Sequence, residues 1–208
     1  MYFFITSTYI NFILLTVLVT GCSEENSNLL DDTRNQSKVE EVLILENLNE
    51  QKLAYSLLSP KEKHQLWNLK IDHVIESWSL NKKQIELLKE LKVTSKVTQF
   101  VADSDDQVYF QTIFVPTYLR KLKTEFSNKE IGNIFYTASR KYYLTHEEDN
   151  DGGGGSSKDC DCNRNSTSSC LWLNTDSCEE RAEVNGCKVV TTGCGFFWAY
   201  SCNGKCNA

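Results

Sequence analysis

The most chemically distinctive residues of this chain are its nine cysteines, eight of which crowd the C-terminal end. The eight are Cys160, Cys162, Cys170, Cys178, Cys187, Cys194, Cys202 and Cys206. A segment this short buries little apolar surface, and disulfides worth about 2–4 kcal/mol each would supply the missing stability. We therefore predict that all eight cysteines form disulfides. The pairing stays open, except that a bond between Cys160 and Cys162 would be strained.

A thiolate metal site is the alternative use of these cysteines. The segment contains no histidine and no Cys-x-x-Cys pair, which are the usual ligand arrangements of a structural zinc site. An exported location, which the N-terminus indicates, would also oxidise the thiols. The sequence therefore favours disulfides and predicts neither a metal nor another cofactor.

The ninth cysteine, Cys22, ends an N-terminal segment that has no charged side chain. A short apolar run there leads into Val19-Thr20-Gly21-Cys22, which resembles the lipobox of bacterial lipoproteins. The resemblance implies that residues 1–21 are a signal peptide and that Cys22 carries a lipid anchored in a membrane. A transmembrane helix is the alternative, but the run is shorter than the roughly 20 apolar residues that a span needs.

Residues 22–37 are polar and acidic and show no apolar periodicity, which is typical of a solvated tether. Acid-rich tethers of this kind are similar to those of lipoproteins sent to the outer membrane. We therefore expect a location in the cell envelope, with the protein anchored in the outer membrane. Exposure on the outer face of that membrane is one option.

The overall composition indicates one or two small soluble domains and argues against nucleic acid as a partner. Of the 208 residues, 40% are hydrophobic, and the formal net charge is −6. No basic cluster interrupts this acidic balance, whereas a surface that binds phosphates needs concentrated lysine and arginine.

Residues 38–146 are rich in helix formers and predict a helical bundle. Three capping boxes mark helix starts, at Ser59–Glu62, Asn81–Gln84 and Ser127–Glu130. Behind them, apolar residues recur at helical spacing: Trp67, Ile71, Val74 and Trp78, then Ile85, Leu88 and Leu91, then Ile131, Ile134, Phe135, Ala138 and Tyr142. A further helix is expected over Val39–Leu58. The β-branched and aromatic segment Val108–Val115 is left unassigned.

No catalytic constellation is visible in the sequence. The histidines are His64, His73 and His146, and the first two lie nine residues apart, which is not the spacing that presents two ligands to one metal. No nucleophile is paired with a base. We therefore predict that the chain is not an enzyme.

Residues 147–158 form an acidic and then glycine-rich stretch that predicts a flexible linker and a domain boundary. Its glycines are Gly152, Gly153, Gly154 and Gly155. Unstructured glycine-rich chain is easily cut by proteases, so cleavage here is one possibility. The other is a simple spacer.

Residues 159–208 form the predicted disulfide-rich module. Strands are expected at Lys188–Thr191 and Phe197–Ser201, and a short helix near Cys178–Glu183. The motifs Cys160-Asp161-Cys162, Thr192-Gly193-Cys194-Gly195, Trp198-x-Tyr200 and Cys202-Asn203-Gly204, with the count of eight cysteines, resemble the fulvocin C-related bacteriocin family. This resemblance covers about a quarter of the chain. The sequence departs from the family pattern at the charged segment 179–183.

The aromatic residues of the module are its candidate contact surface: Trp172, Phe196, Phe197, Trp198 and Tyr200. Exposed rings of this kind suit a bilayer interface or a protein pocket. Four basic and five acidic side chains follow residue 159, a balance that favours a protein over an anionic bilayer. The alternative is that the rings form the module's own core.

The fold expected is thus a helical bundle domain followed by a compact, cysteine-stapled module that contains a hairpin. The resemblance implies an antibacterial effector, or its precursor, displayed on the envelope or released from it and acting on an envelope protein or the membrane of a target cell. The alternative is a non-toxic surface lipoprotein whose disulfide-rich head binds another protein.

Overall fold

The structure, a computed structural model, describes residues 38–141, 160–166, 170, 178–179 and 187–206. We call residues 38–141 the helical region and the described residues from Cys160 onward the cysteine-rich region. The predicted signal peptide, Cys22, the tether, the linker and Trp172 lie outside the described residues.

The first half of the helical region contains four helices. They are α1 (residues 38–44), α2 (Leu48–Ser56), α3 (Pro60–Ser77) and α4 (Lys82–Thr94). The single helix predicted over Val39–Leu58 is wrong. It is interrupted because Asn47 caps a new helix: its Oδ1 accepts the amide hydrogens of Asn49 at 2.9 Å and Glu50 at 3.2 Å.

All three predicted capping boxes are confirmed. At the start of α3, the Ser59 hydroxyl accepts the Glu62 amide hydrogen at 3.3 Å, while the Glu62 carboxylate accepts the Ser59 amide hydrogen at 2.7 Å. Asn81 caps α4 in the same reciprocal way. Such a box satisfies two amide groups that the first helical turn leaves without partners, and therefore fixes where the helix begins.

The second half continues with a 3-10 turn, two α-helices joined through a π-helical turn, and a last helix. The elements are the 3-10 turn Val97–Phe100, α5 (Asp105–Tyr109), the π-turn Phe110–Phe114, α6 (Val115–Glu125) and α7 (Asn128–Phe135). The segment that the sequence left unassigned is therefore helical. No helix among the described residues has both the length and the apolar character needed to cross a membrane.

The predicted apolar stripes point into one core. Trp67, Ile71 and Val74 of α3 and Leu88 and Leu91 of α4 are buried. Ile131, Ile134, Phe135 and Ala138 at the end of the region are buried as well. Trp78 and Ile85 are only partly buried, and Tyr142 lies outside the described residues. At most of their described positions the stripes are thus core faces, as their spacing predicts.

A buried lysine, Lys70, ties α3 to the end of the helical region. Its ammonium group donates to the backbone carbonyl oxygens of Asn133 and Thr137, both at 2.7 Å, and of Ser139 at 2.5 Å. Burial lowers its pKa, whereas three carbonyl acceptors favour the charged form. The lysine therefore supplies hydrogen-bond donors to backbone carbonyl groups at the end of α7 and in the segment that follows it.

The cysteine-rich region is built from two small antiparallel pairs of strands. Strand β1 (Cys178–Glu179) pairs with β4 (Lys205–Cys206), and β2 (Val190–Cys194) pairs with β3 (Tyr200–Cys202). The predicted helix is wrong at Cys178–Glu179, because backbone pairing with β4 makes this segment extended. Phe197 and Trp198, expected in the strand Phe197–Ser201, lie instead in the 3-10 turn Phe196–Trp198 between β2 and β3. Tyr200 and Ser201 of the expected strand lie in β3.

The eight C-terminal cysteines form four disulfides, as predicted. The pairs are Cys160–Cys187, Cys162–Cys178, Cys170–Cys206 and Cys194–Cys202. No bond joins Cys160 to Cys162. The chain is therefore helical, with a small C-terminal hairpin in a disulfide-linked, cysteine-rich segment.

Candidate functional site: the disulfide-closed aromatic loop

The aromatic residues of the cysteine-rich region lie on one loop whose ends are tied by a disulfide. We call residues 195–201 the aromatic loop. The Cys194–Cys202 bond closes it, with Cα atoms 5.3 Å apart, and Cys194 also faces Tyr200 across the β2–β3 pair. The disulfide therefore holds the two ends of the loop close together.

Gly195 lets the chain turn sharply into the loop. Its φ is +69°, a conformation that glycine adopts without steric cost. A Cβ atom at this position would lie 2.5 Å from Cδ2 of Tyr200. Both the backbone conformation and the close approach of Tyr200 therefore require glycine here.

Two aromatic residues of the loop adopt the left-handed backbone conformation that bulky side chains avoid. Phe197 has φ +56° and Trp198 has φ +50°. Such a conformation costs on the order of 1–3 kcal/mol for each residue and persists only where surrounding contacts impose it. The contacts that impose it come from the helical region.

Stacked rings provide the apolar part of these contacts. Phe197 stacks on Trp67 of α3, with ring centroids 4.8 Å apart, and Phe196 stacks on Phe135 of α7 at 4.4 Å. Trp198 meets the edge of Tyr55 at 5.1 Å. These geometries are the offset and edge-to-face arrangements that aromatic pairs prefer.

Hydrogen bonds hold the backbone of Phe197 and the indole of Trp198. The Tyr55 hydroxyl donates to the carbonyl oxygen of Phe197 at 3.0 Å, and Trp198 Nε1 donates to the carbonyl oxygen of Tyr136 at 3.0 Å. Burial raises the pKa of Tyr55, so its hydroxyl keeps its proton and remains a donor. These two buried polar groups of the loop thus have partners.

The π-turn forms hydrogen bonds with the C-terminal end of the loop. The Gln111 side chain donates to the carbonyl oxygen of Ala199 at 2.6 Å, and the Tyr200 hydroxyl donates to the backbone carbonyl oxygen of Gln111 at 2.9 Å. Burial also raises the pKa of Tyr200. A π-turn displaces the usual helical hydrogen-bond pattern, and here one of its carbonyl oxygens serves the loop.

The prediction that the rings form an exposed contact surface is therefore wrong for the four that the structure describes. Phe196, Phe197, Trp198 and Tyr200 are each at most 5% exposed. They are not the core of a separate module either, since they belong to the same apolar core as the helical region. The physical reason is that this core offers the rings a larger apolar surface than fifty residues rich in disulfides provide.

Sequence reasoning missed the residues that receive the loop, namely Tyr55, Gln111 and Tyr136. Trp67 was recognised only as a core residue. One signal pointed toward them: the module carries more aromatic surface than it can bury alone. These rings therefore need an apolar surface outside the module, and the helical region of the same chain provides it.

A second contact joins the two regions around Asp161. The Asp161 carboxylate pairs with Lys205 at 3.4 Å and accepts the Cys206 amide hydrogen at 2.9 Å. Lys52 of α2 lies nearby and packs beside Gly193. Burial lowers the pKa of Lys52 to about 8, with Asp161 opposing this shift and Lys205 adding to it. The described residues of the helical and cysteine-rich regions accordingly belong to one compact unit.

A charged groove of about 680 Å³ lies on the helical region between α4 and α6. Ion pairs cross it, from Lys83 to Glu125 at 3.6 Å and from Lys121 to Glu90 at 2.9 Å. Charges paired in this way bind the two helices to each other.

The histidines of the helical region lie apart from the aromatic loop. His64 Nε2 is 3.3 Å from the carbonyl oxygen of Ser95, and His73 Nδ1 is 3.3 Å from the Ser77 hydroxyl. Each ring thus has a local polar partner. His146 lies outside the described residues.

Comparison of the chain with protein-family models, with curated proteins and with solved structures finds no match.

Proposed function

We propose that this chain is an envelope lipoprotein that carries a fulvocin C-related antibacterial module in a masked form, as a displayed effector or as the precursor of a released one. The observation that carries the proposal is the burial of the aromatic loop in the core of the helical region. An exposed loop with four aromatic rings would adhere to membranes and proteins. The helical region keeps these rings from water.

The two regions are arranged so that one cut in the chain allows them to separate. Residues 38–141 contain no cysteine, and the described cysteines of the other region are paired among themselves. No disulfide therefore crosses between them. After cleavage at Gly152–Gly155, only non-covalent contacts would retain the aromatic loop.

The proposal assigns the remaining parts of the chain as follows. Residues 1–21 direct export, Cys22 carries the lipid, and residues 22–37 tether the protein to the outer membrane. The helices act as a bundle that masks the loop. The released, compact module acts on an envelope protein or the membrane of a target cell.

A cleavable linker tests this function. Gly152–Gly155 is replaced by a site for a sequence-specific protease, and the oxidised protein is added to related bacteria in three forms: uncut, cut, and cut with the helical fragment removed. We expect the uncut protein to be harmless and the separated module to inhibit growth. The uncut parent treated with the same protease is the matched control.

The fold of the separated module is checked by adding the helical fragment back and following tryptophan fluorescence. Intact mass confirms that four disulfides are present. A module that rebinds its helical fragment but leaves the bacteria unharmed at high dose would show that the proposed function is wrong.

A non-toxic binding lipoprotein is the second candidate. The burial of the rings favours it, because the folded chain then displays polar and charged groups from the cysteine-rich region, such as Arg164 and Lys188. The uncut, oxidised protein would in that case retain an envelope protein of its own cells. Stable capture of such a partner, without growth inhibition by any of the three forms, would select this function over the first.

A further inference from the structure

Two of the four disulfides bring their sulfur atoms into one cluster. The Sγ atoms of Cys162, Cys170 and Cys206 all lie within 4.8 Å of one another. The fourth cysteine, Cys178, is bonded to Cys162. We call these four residues the sulfur cluster. Among the described residues, no other set of histidine, cysteine or carboxylate side chains places three ligand atoms this close together.

Backbone hydrogen bonds place three of these cysteines independently of the disulfides. Cys178 and Cys206 face each other across the β1–β4 pair. Cys162 lies beside the turn before β4, where its carbonyl oxygen accepts the amide hydrogens of Asn203 at 2.8 Å and Gly204 at 3.0 Å. Metal binding by the reduced chain requires this ladder to persist when the sulfur atoms are thiols.

The cluster is buried on one side and reachable on the other. Cys162 and Cys170 are fully buried, and Cys206 is partly exposed, which leaves a route for an ion to enter. Lys205, the residue before Cys206, is paired with Asp161, so these two charges compensate each other. Because burial favours the neutral thiol, the charge of the ion itself would stabilise the thiolates.

We propose that the reduced chain binds one thiophilic divalent ion, of the class of Zn²⁺, through the sulfur cluster. Two equivalents of a dithiol reduce the two disulfides to four thiols, each dithiol giving two electrons and two protons and becoming a disulfide itself. With two equivalents of a phosphine, each phosphine gives two electrons and becomes a phosphine oxide, and water supplies the oxygen atom and the two protons. The ion then displaces four protons and takes four thiolates, with a net charge of −2.

The distances are close to those that such a site needs. Zinc–sulfur bonds of about 2.3 Å in a tetrahedron separate neighbouring sulfur atoms by about 3.8 Å. The Sγ atoms of Cys162, Cys170 and Cys206 are no more than 4.8 Å apart, so no two of them exceed the tetrahedral separation by more than about 1 Å. After reduction, side-chain rotation would move the bonded sulfur atoms apart and bring Cys178 to the fourth position. Metal binding would hold β1, β4 and Cys162 together before the disulfides form. Two equivalents of a disulfide oxidant, which take up four electrons and four protons and become four thiols, would then form the two bonds and release the ion.

The other two disulfides provide a matched control. Cys160–Cys187 and Cys194–Cys202 pack against each other with Val190 in an apolar cluster. Replacing the two cysteines of either bond removes two thiols, as each substitution of a pair within the sulfur cluster does, and leaves the cluster intact.

The test is a metal titration of the full chain, with Cys22→Ser in every sample so that only the eight C-terminal cysteines remain. The protein is reduced with a phosphine, freed of reductant under nitrogen and titrated with Co²⁺ and then Zn²⁺. We expect thiolate-to-cobalt charge-transfer absorption that saturates at one ion per chain and disappears on addition of Zn²⁺. The Cys160→Ser, Cys187→Ser pair should leave this absorption unchanged.

Two variant pairs decide the assignment: Cys162→Ser with Cys178→Ser, and Cys170→Ser with Cys206→Ser. Each should weaken Co²⁺ binding by more than the roughly 10- to 100-fold that loss of an outer-shell partner costs. Absence of the cobalt bands in the reduced parent overturns the proposal. So does an unchanged affinity in either cluster pair, or an equal loss in the control pair.

Discussion

Trp67 of α3 and Phe197 of the aromatic loop stack with ring centroids 4.8 Å apart and ring planes 22° from parallel. The two residues come from regions that the sequence separates by an acidic and glycine-rich linker. Both rings are buried, Trp67 at 1% and Phe197 at 0% exposure. The stability of the cysteine-rich region therefore depends on the helical region.

Trp67→Ala should lower the free energy of unfolding by about 3–5 kcal/mol, because it removes a fully buried indole and leaves a cavity beneath Phe197. Urea denaturation of the oxidised protein measures this change. Val93→Ala is the control, since Val93 is 86% exposed, and it should stay within about 0.5 kcal/mol of the parent. Equal effects of the two substitutions would contradict the stacking of Trp67 on the loop.

Gly195→Ala should destabilise the protein more than Gly193→Ala. Both glycines have positive φ, so alanine is strained at either position, by roughly 1–2 kcal/mol. At Gly193 the added Cβ meets the Lys52 side chain at an ordinary 3.5 Å, whereas at Gly195 it meets the Tyr200 ring at 2.5 Å. The pair is compared by thermal and urea denaturation. A larger loss for Gly193→Ala would show that the approach of Tyr200 is not the limiting contact.

Lys52 should make the stability depend on pH in the alkaline range. Burial lowers its pKa from 10.5 to about 8, so the unfolded chain binds more protons than the folded chain between these values. This group therefore favours folding increasingly as the pH rises from about 8 to 10.5. Lys52→Met removes the titration, and its stability relative to the parent should fall over that window. Urea denaturation at several pH values measures the difference.

The control for this experiment is Lys89→Met, which removes one positive charge from an exposed position. A stability difference between Lys52→Met and the parent that stays constant from pH 8 to 10 would contradict the burial of the Lys52 amine.

Lys70→Met should be strongly destabilising although it removes a charge from the core. The carbonyl oxygens of Thr137 and Ser139 would lose their hydrogen bonds to the lysine. Each buried acceptor left without a donor costs about 1–3 kcal/mol. We expect a loss of about 2–5 kcal/mol in the free energy of unfolding, measured in urea, whereas Lys123→Met at an exposed position should change little. A neutral Lys70→Met would mean that these carbonyl groups find other donors.

Local signals in the sequence placed the helix starts, because each capping box involves residues only three positions apart. Ser59, Asn81 and Ser127 determine their helices through their own side chains. The same kind of local signal at Asn47 was overlooked. One helix was therefore expected where α1 and α2 stand.

Long-range contacts explain what the sequence could not indicate. The π-turn Phe110–Phe114 contains β-branched and aromatic residues, and it is stabilised by Tyr200, which lies far along the chain. The left-handed backbone of Phe197 and Trp198 is likewise imposed by Tyr55 and Tyr136. Alternation of side chains predicted a strand here. No local sequence pattern in the aromatic loop predicts this backbone conformation, because the residues that stabilise it are distant in the sequence.

The disulfide between Cys194 and Cys202 joins the ends of the aromatic loop, while contacts from the helical region impose the left-handed backbone inside it. A loop whose ends are already joined loses less conformational entropy when it enters a pocket, so more of the free energy of its stacked rings is retained as affinity. The same saving applies to any other pocket that accepts these rings. Ring closure therefore lowers the entropic cost of docking, whereas the pocket determines the conformation of the docked loop.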